Sequence, residues 1–245
     1  MKRIKLVVAY DGTNYCGWQI QPNEITVEKV LNDKLTKLLG KEIKIIGASR
    51  TDSGVHALGN VAVFDTESTI PGDKFSYALN TLLPEDITIQ ESCEVELDFH
   101  PRHCETRKMY EYKILNRKFP LPTKRLDTYF FSHSLDIDKM METAKYLVGE
   151  HDFKSFCSAK TQTETTVRTI YSVDVTRSDD VVSIKVAGNG FLYNMVRIIA
   201  GTLIQVGTGY YEPIKVKTML ESNDRTLAGP TAPPEGLTLV EIQFL

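Results

Sequence analysis

The stretch GASRTDSGVHALG, Gly47 to Gly59, sets Asp52 among Arg50, His56 and the hydroxyls of Ser49, Thr51 and Ser53. Strand-like runs flank it, EIKII (Glu42 to Ile46) before and NVAVFDT (Asn60 to Thr66) after. Two readings fit an acid in that setting. Gly54 permits unusual backbone angles and the hydroxyls can bond locally, so the loop can hold a carboxylate rigidly toward a cleft. An Asx-turn that merely shapes the loop accounts for the same residues. Ser53, His56 and Asp52 also contain the residue types of a hydrolytic triad. Neighbours on one short loop do not meet triad geometry, however, and no GxSxG elbow is present.

Arg50 stands two residues before Asp52, so in an extended loop both side chains leave on one side, and the cation can keep the acid ionised. A surface ion pair is the plainer alternative. Arg197 offers a second cation: on a helical wheel it groups with Asn194 and Gly201, away from the apolar stripe, free to face a site. Basic residues crowd the segment from Arg102 to Arg125, where Arg107, Lys108, Lys113, Arg117, Lys118 and Lys124 meet only Glu105 and Glu111. A solvated face explains such a run. Tyr110 and Tyr112 interleaved with the cations suggest instead a surface that stacks bases while neutralising phosphates. HPRHC brings His100, His103 and Cys104 together without a fourth ligand at suitable spacing, so no metal site is expected. Neither GxxxxGK[ST] nor GxGxxG occurs, which leaves nucleotide cofactors without support.

These residues need elements to position them. IKLVVAY (Ile4 to Tyr10) reads as a strand ending at the turn Asp11-Gly12. Val27, Val30, Leu31, Leu35 and Leu38 follow a helical period between Thr26 as N-cap and Gly40 past the end. A short helix is expected from Pro71 to Leu83 and a strand near Ile87 to Glu91. The second half repeats this order loosely. TRKMYEYKIL (Thr106 to Leu115) alternates like a strand and DIDKMMETAKYLVG (Asp136 to Gly149) has a helical pattern. A hairpin turns at Asp179-Asp180. Leu192, Met195, Val196, Ile199, Leu203 and Val206 form one apolar stripe, and LTLVEIQF closes the chain as a strand. The expectation is an α+β protein of two ferredoxin-like (βαββαβ) halves, residues 1–104 and 105–245, sharing one mainly antiparallel sheet with a central cleft.

The 245 residues, 42% of them hydrophobic, can bury one large core or two small ones. No apolar run approaches the roughly 20 residues of a membrane span, and MKRIKLVVAYDG turns polar too early for a signal peptide. A cytoplasmic protein without membrane attachment is expected. Cys16, Cys93, Cys104 and Cys157 form no CxxC pair and read as free thiols. A net charge of -3 argues against a chain that coats nucleic acid nonspecifically, but leaves room for a local basic groove.

At these residues the chain resembles the TruA-type tRNA pseudouridine synthases. YDGTNYCGWQIQ (Tyr10 to Gln21) and ASRTDSGVHA are similar to the family's N-terminal motif and active-site loop. KMYEY (Lys108 to Tyr112), HDFKSF with the following VRTI, GFLYNMVRIIAGTL and TAPPEGL are similar to further family segments in the same order. The resemblance implies an isomerase that converts uridine to pseudouridine in the anticodon stem-loop of tRNA, roughly at tRNA positions 38 to 40, where a stem base must first be flipped out. It also implies a homodimer that grips the tRNA jointly, and neither cofactor nor metal. Position by position, it makes Asp52 the essential aspartate and Arg50 the residue that helps extrude the nucleotide. Tyr110 becomes the ring that stacks on uracil, and Arg197 the arginine paired with the aspartate. An RNA-binding protein without catalysis, and a carboxylate enzyme acting on another nucleoside or sugar, are the alternatives from other classes.

Overall fold

The structure, a computed structural model, describes residues 1–158 and 163–245. Two compact units divide it, Met1–Glu105 with Thr238–Leu245, and Thr106–Leu237.

In the first unit the elements run β1 (Lys2–Tyr10), α1 (Val27–Leu39), β2 (Ile46–Gly47), β3 (His56–Thr66), α2 (Phe75–Asn80) and β4 (Ile87–Val95). β1 lies between β4 and β3, antiparallel to both. The outer edge of β3 is divided: β2 pairs with Ala62 and Val63, while the closing strand β10 (Leu237–Phe244) pairs in parallel with His56 and Ala57. The path β4–β1–β3–β2 is the ferredoxin-like order, reached because each helix returns the chain to the same end of the sheet. Ile4, Leu6 and Val8 alternate into the core as a half-covered strand requires. Helix α1 has both expected ends: Thr26 accepts from the Lys29 amide, and Gly40 takes φ 66°. Val27, Leu31 and Leu35 are buried at helical spacing. The helix expected from Pro71 is shorter, a single tight turn at Gly72–Lys74 leading into α2, which seats Phe75 edge-on against Phe64 at 5.3 Å.

The second unit has β5 (Thr106–Asn116), β6 (Tyr129–Phe131), α3 (Ile137–Leu147), β7 (Gly149–Asp152), β8 (Val167–Ser178), β9 (Val181–Gly188), α4 (Met195–Gly207) and α5 (Lys215–Ser222). Its strands follow the path β5–β9–β8–β7 in antiparallel pairs, and β6 adds to β5 in parallel. The hairpin of β8 and β9 turns at Asp179, φ 51°, as its Asp-Asp pair suggested. Here β8 runs straight into β9 and the helices follow, so the repetition of the first unit is loose. In α4 every residue except Arg197 and Gln205 is buried, which makes it the unit's central helix. The α+β class and two mainly antiparallel halves follow the reading of the sequence. The four cysteines are free thiols. No helix among the described residues is long and apolar enough to cross a membrane.

Candidate functional site

The loop that carries Asp52 occupies residues 48–55 between β2 and β3 in the first unit. Its burial alternates: Ser49 and Thr51 are buried, Arg50 is exposed and Asp52 half-buried. This is the alternation of an extended segment, so Arg50 and Asp52 leave on the outer side while the hydroxyl residues turn inward.

Neighbouring backbone fixes the loop from several directions. The Ala48 amide donates to the Val61 carbonyl at 2.7 Å and the Trp18 amide donates to the Thr51 carbonyl at 3.1 Å. Asn60 Nδ2 donates to the Ser49 carbonyl at 3.0 Å. The Thr51 hydroxyl meets the Tyr10 hydroxyl at 2.7 Å. Gly54, at φ 76°, closes the turn, and the Val55 amide donates to the Asp52 carbonyl. In an Asx-turn the Gly54 amide would donate to the Asp52 side chain. That amide donates instead to the Tyr15 carbonyl at 3.2 Å, where the Ser53 hydroxyl also donates at 3.3 Å. The segment Tyr10 to Trp18 therefore shapes the loop through several of its backbone and hydroxyl groups.

Two more residues of that segment brace the end of the loop. His56 Nδ1 accepts from the Gly12 amide at 3.0 Å and lies 3.1 Å from Asp11 Oδ1. Burial pushes the Asp11 carboxyl up, but bonds from the Thr13 hydroxyl and amide, with His56 beside it, outweigh burial and hold it below the usual range. Tyr15 donates its hydroxyl to Asp86 at 2.6 Å, and burial together with that carboxylate raises its phenol.

Arg102 is a cation of this unit that the sequence placed only within a basic run. Its Nε donates to the Gly47 carbonyl at 2.7 Å, at the start of the loop. Burial first, and then the charge of Arg50, lower its affinity for its proton, which puts two guanidinium groups in one another's field.

Tyr110 and Arg197 belong to the second unit. Tyr110 sits in β5 opposite Val186, 6% exposed, with its ring edge-on to Phe191 at 5.1 Å. Tyr112 is wholly buried and donates its hydroxyl to the Pro233 carbonyl at 2.8 Å, so it is a core residue and not part of a stacking surface. Side chains alternate between faces, so Lys108 shares one face of the strand with Tyr110 and Tyr112, while Arg107, Glu111 and Lys113 take the other. Several of the cations are already engaged: Arg107 lies over the Tyr171 ring at 5.5 Å, and Arg117 reaches Asp180 at 3.2 Å.

Arg197 lies in the first turn of α4. Asn194, at φ 62°, caps that helix and accepts from Arg197 Nη1 at 2.8 Å, and Arg197 Nε donates to the Ala232 carbonyl at 2.8 Å. The Ala232 amide returns a bond to the Arg197 carbonyl at 3.1 Å. The expectation that this helix face lies free is therefore corrected. Gly201 on the same face packs against the Pro230 carbonyl, and the TAPPEGL segment covers the face and orients the guanidinium.

A family model described as tRNA pseudouridine synthase matches residues 6–103 and 143–244. The chain is similar to proteins named tRNA pseudouridine synthase A from three organisms and covers 100% of each as well as 100% of itself. It is 50% identical to that of Acetivibrio thermocellus, 48% to that of a Thermoanaerobacter species and 46% to that of Caldicellulosiruptor saccharolyticus, each over 244 residues.

Proposed function

Because the chain belongs to the tRNA pseudouridine synthase family, we propose that it isomerises uridine to pseudouridine in the anticodon stem-loop of tRNA, with Asp52 as the catalytic carboxylate. The observation that carries the choice of Asp52 is the loop's division of labour. The hydroxyls of Thr51 and Ser53 and the amide of Gly54 bond to the segment Tyr10 to Tyr15, leaving an acid and an arginine on the outer side.

Pseudouridine formation breaks the bond from ribose C1′ to N1, turns the uracil and joins C1′ to C5; the hydrogen displaced from C5 leaves as a proton and N1 takes one up. It is an isomerisation, with no net change in oxidation state, and none of its steps calls for a cofactor. A carboxylate at the sugar can bond to C1′, stabilise positive charge there or remove the C2′ proton, much as carboxylates serve glycosidases. Each route needs the ionised form, which a neighbouring arginine favours. Extruding a stem base costs about a few kcal/mol, and an exposed arginine such as Arg50 offsets part of that by filling the gap. Tyr110 supplies the face on which uracil stacks. Arg197, held rigid within the second unit by Asn194 and Ala232, is the further cation assigned to this reaction. The protein works in the cytoplasm as a homodimer.

The test is turnover on unmodified tRNA tritiated at uridine C5, since joining C1′ to C5 must release label to water. Asp52→Asn is nearly isosteric but can serve as neither charged nucleophile nor base. It is expected to bind tRNA within about tenfold of wild type, roughly 1.4 kcal/mol, while label release falls to background. Normal release by that variant would remove Asp52 from the chemistry. Binding by the wild-type protein with no release at all would favour an RNA-binding protein instead.

A further inference from the structure

We propose that Tyr10 is a positioning residue for this reaction: its buried hydroxyl ties Thr51, the residue before the catalytic aspartate, to Asn60 in the core of β3. The proposal rests on the functional reading of Asp52 given above.

Asn60 is the least expected residue of its strand. It is wholly buried among Val61, Ala62, Val63 and Phe64, where an unsatisfied amide would cost about 1–3 kcal/mol. Its Oδ1 accepts from the Val61 amide at 2.9 Å, which fixes the orientation of the side chain. Nδ2 is thereby aimed at the Ser49 carbonyl, 3.0 Å away, and at the Tyr10 hydroxyl, 3.4 Å away. The Tyr10 hydroxyl, which accepts from Asn60, also shares a hydrogen bond with Thr51 Oγ1 at 2.7 Å. Tyr10, Asn60 and Thr51 are 5%, 0% and 7% exposed. One buried network thus reaches the loop at Ser49 and at Thr51, on both sides of Arg50 and immediately before Asp52.

Pairing of the strands explains how Tyr10 arrives there. Val8 pairs with Asn60 but Tyr10 pairs with Ala57, so two steps along β1 meet three along β3. Such a bulge redirects the side chains beside it, a common device next to active sites. Tyr10, two residues beyond Val8, stays on the sheet face that carries Asn60 and lies diagonally across from it, within hydrogen-bond reach.

A network serving stability alone would give a different signature from one that holds Asp52 in register, because a misplaced catalytic group slows the chemical step while substrate binding persists. The experiment compares Tyr10→Phe, Thr51→Val, their double variant and Thr51→Ser in the tritium-release assay, with thermal melting of each. Tyr10→Phe is expected to lower kcat about tenfold with KM for tRNA within about twofold. Thr51→Val should lose a similar factor, the double variant should be no worse than the poorer single, and Thr51→Ser, which keeps a hydroxyl, should stay within about threefold of wild type. Wild-type kcat in Tyr10→Phe, multiplicative losses in the double variant, or a loss that disappears when the assay is cooled well below each variant's melting point would overturn the proposal. A wild-type protein that releases no label would instead sink the functional reading itself, a result that separates the two failures.

Discussion

Gly17 holds φ 80° directly beneath the loop that carries Asp52, where a Cβ would lie 2.5 Å from the Thr51 carbonyl oxygen and 3.1 Å from the Asp52 carbonyl carbon. Backbone of the N-terminal motif therefore touches backbone of the loop with no side chain between them. Gly17→Ala meets both a disfavoured φ and an immovable neighbour, so it should destabilise the protein by about 1 kcal/mol or more. Label release per folded molecule should fall further than tRNA affinity does. Melting curves, binding and turnover measured on one preparation check this, and unchanged turnover would show that the contact is dispensable.

Tyr110 packs edge-on against Phe191, so removing its ring tests the core as well as the chemistry. Tyr110→Ala should cost roughly 3 kcal/mol of stability as well as activity. Tyr110→Phe keeps the ring and should leave melting within about 1 kcal/mol of wild type. If the hydroxyl assists removal of the C5 proton, label release falls at least about tenfold while tRNA binding is kept. That loss is the expected result. Full activity in the Phe variant would reduce the role of Tyr110 to stacking.

Beyond β5, Lys118, Lys124 and Arg125 are exposed, and the nearest carboxylate to Lys124 is Asp127 at 3.9 Å. If they meet tRNA phosphates, each contact contributes roughly 0.7–0.9 to the slope of log affinity against log salt. Changing all three to Gln should therefore lower that slope by about 2, with little effect on kcat. A titration of binding against salt decides it, and an unchanged slope would exclude this segment from the phosphate grip.

Asp11 supplies a pH dependence whose sign can be worked out. Its folded-state affinity for a proton is depressed, burial being outweighed by Thr13 and His56, so its contribution is present above the unfolded carboxylate value of about 3.9. That contribution is lost as pH falls through the lower folded value. Since the side chain is 40% exposed, solvent screening limits it to about 1 kcal/mol or less at neutral pH. Asp11→Asn should be less stable than wild type at pH 7 in denaturant melts, and the gap should close as pH drops below about 4. A gap that widened in acid would contradict the assignment.

Local chemistry was legible where a residue type suits only a few backbone states. The α1 caps at Thr26 and Gly40, the left-handed Gly54 and the turn at Asp179 follow from conformational preference, which a chain carries with it before it folds. The alternation of β1 and the stripe of α4 were equally visible, since they record which side chains must leave water. The acid and arginine of the loop could be picked out as types unsuited to a strand end.

What packing decided lay outside that reach. Tyr110 and Tyr112 looked alike along the chain as rings among cations, yet packing buries Tyr112 completely and ties its hydroxyl to the Pro233 carbonyl. Arg197 looked free on a helical wheel, which shows a helix without its neighbours, until the segment around Ala232 closed over that face. β10 returns across the length of the chain to pair with His56 and Ala57, because the open edge of β3 offers backbone partners that no local pattern encodes. The bond from Tyr10 to Thr51 joins residues 41 apart. Sequence by itself determined the family and which residue types stand as candidates for acting on uridine. Only the tertiary structure decided which of their neighbours hold them still, since that depends on contacts between segments brought together by burial.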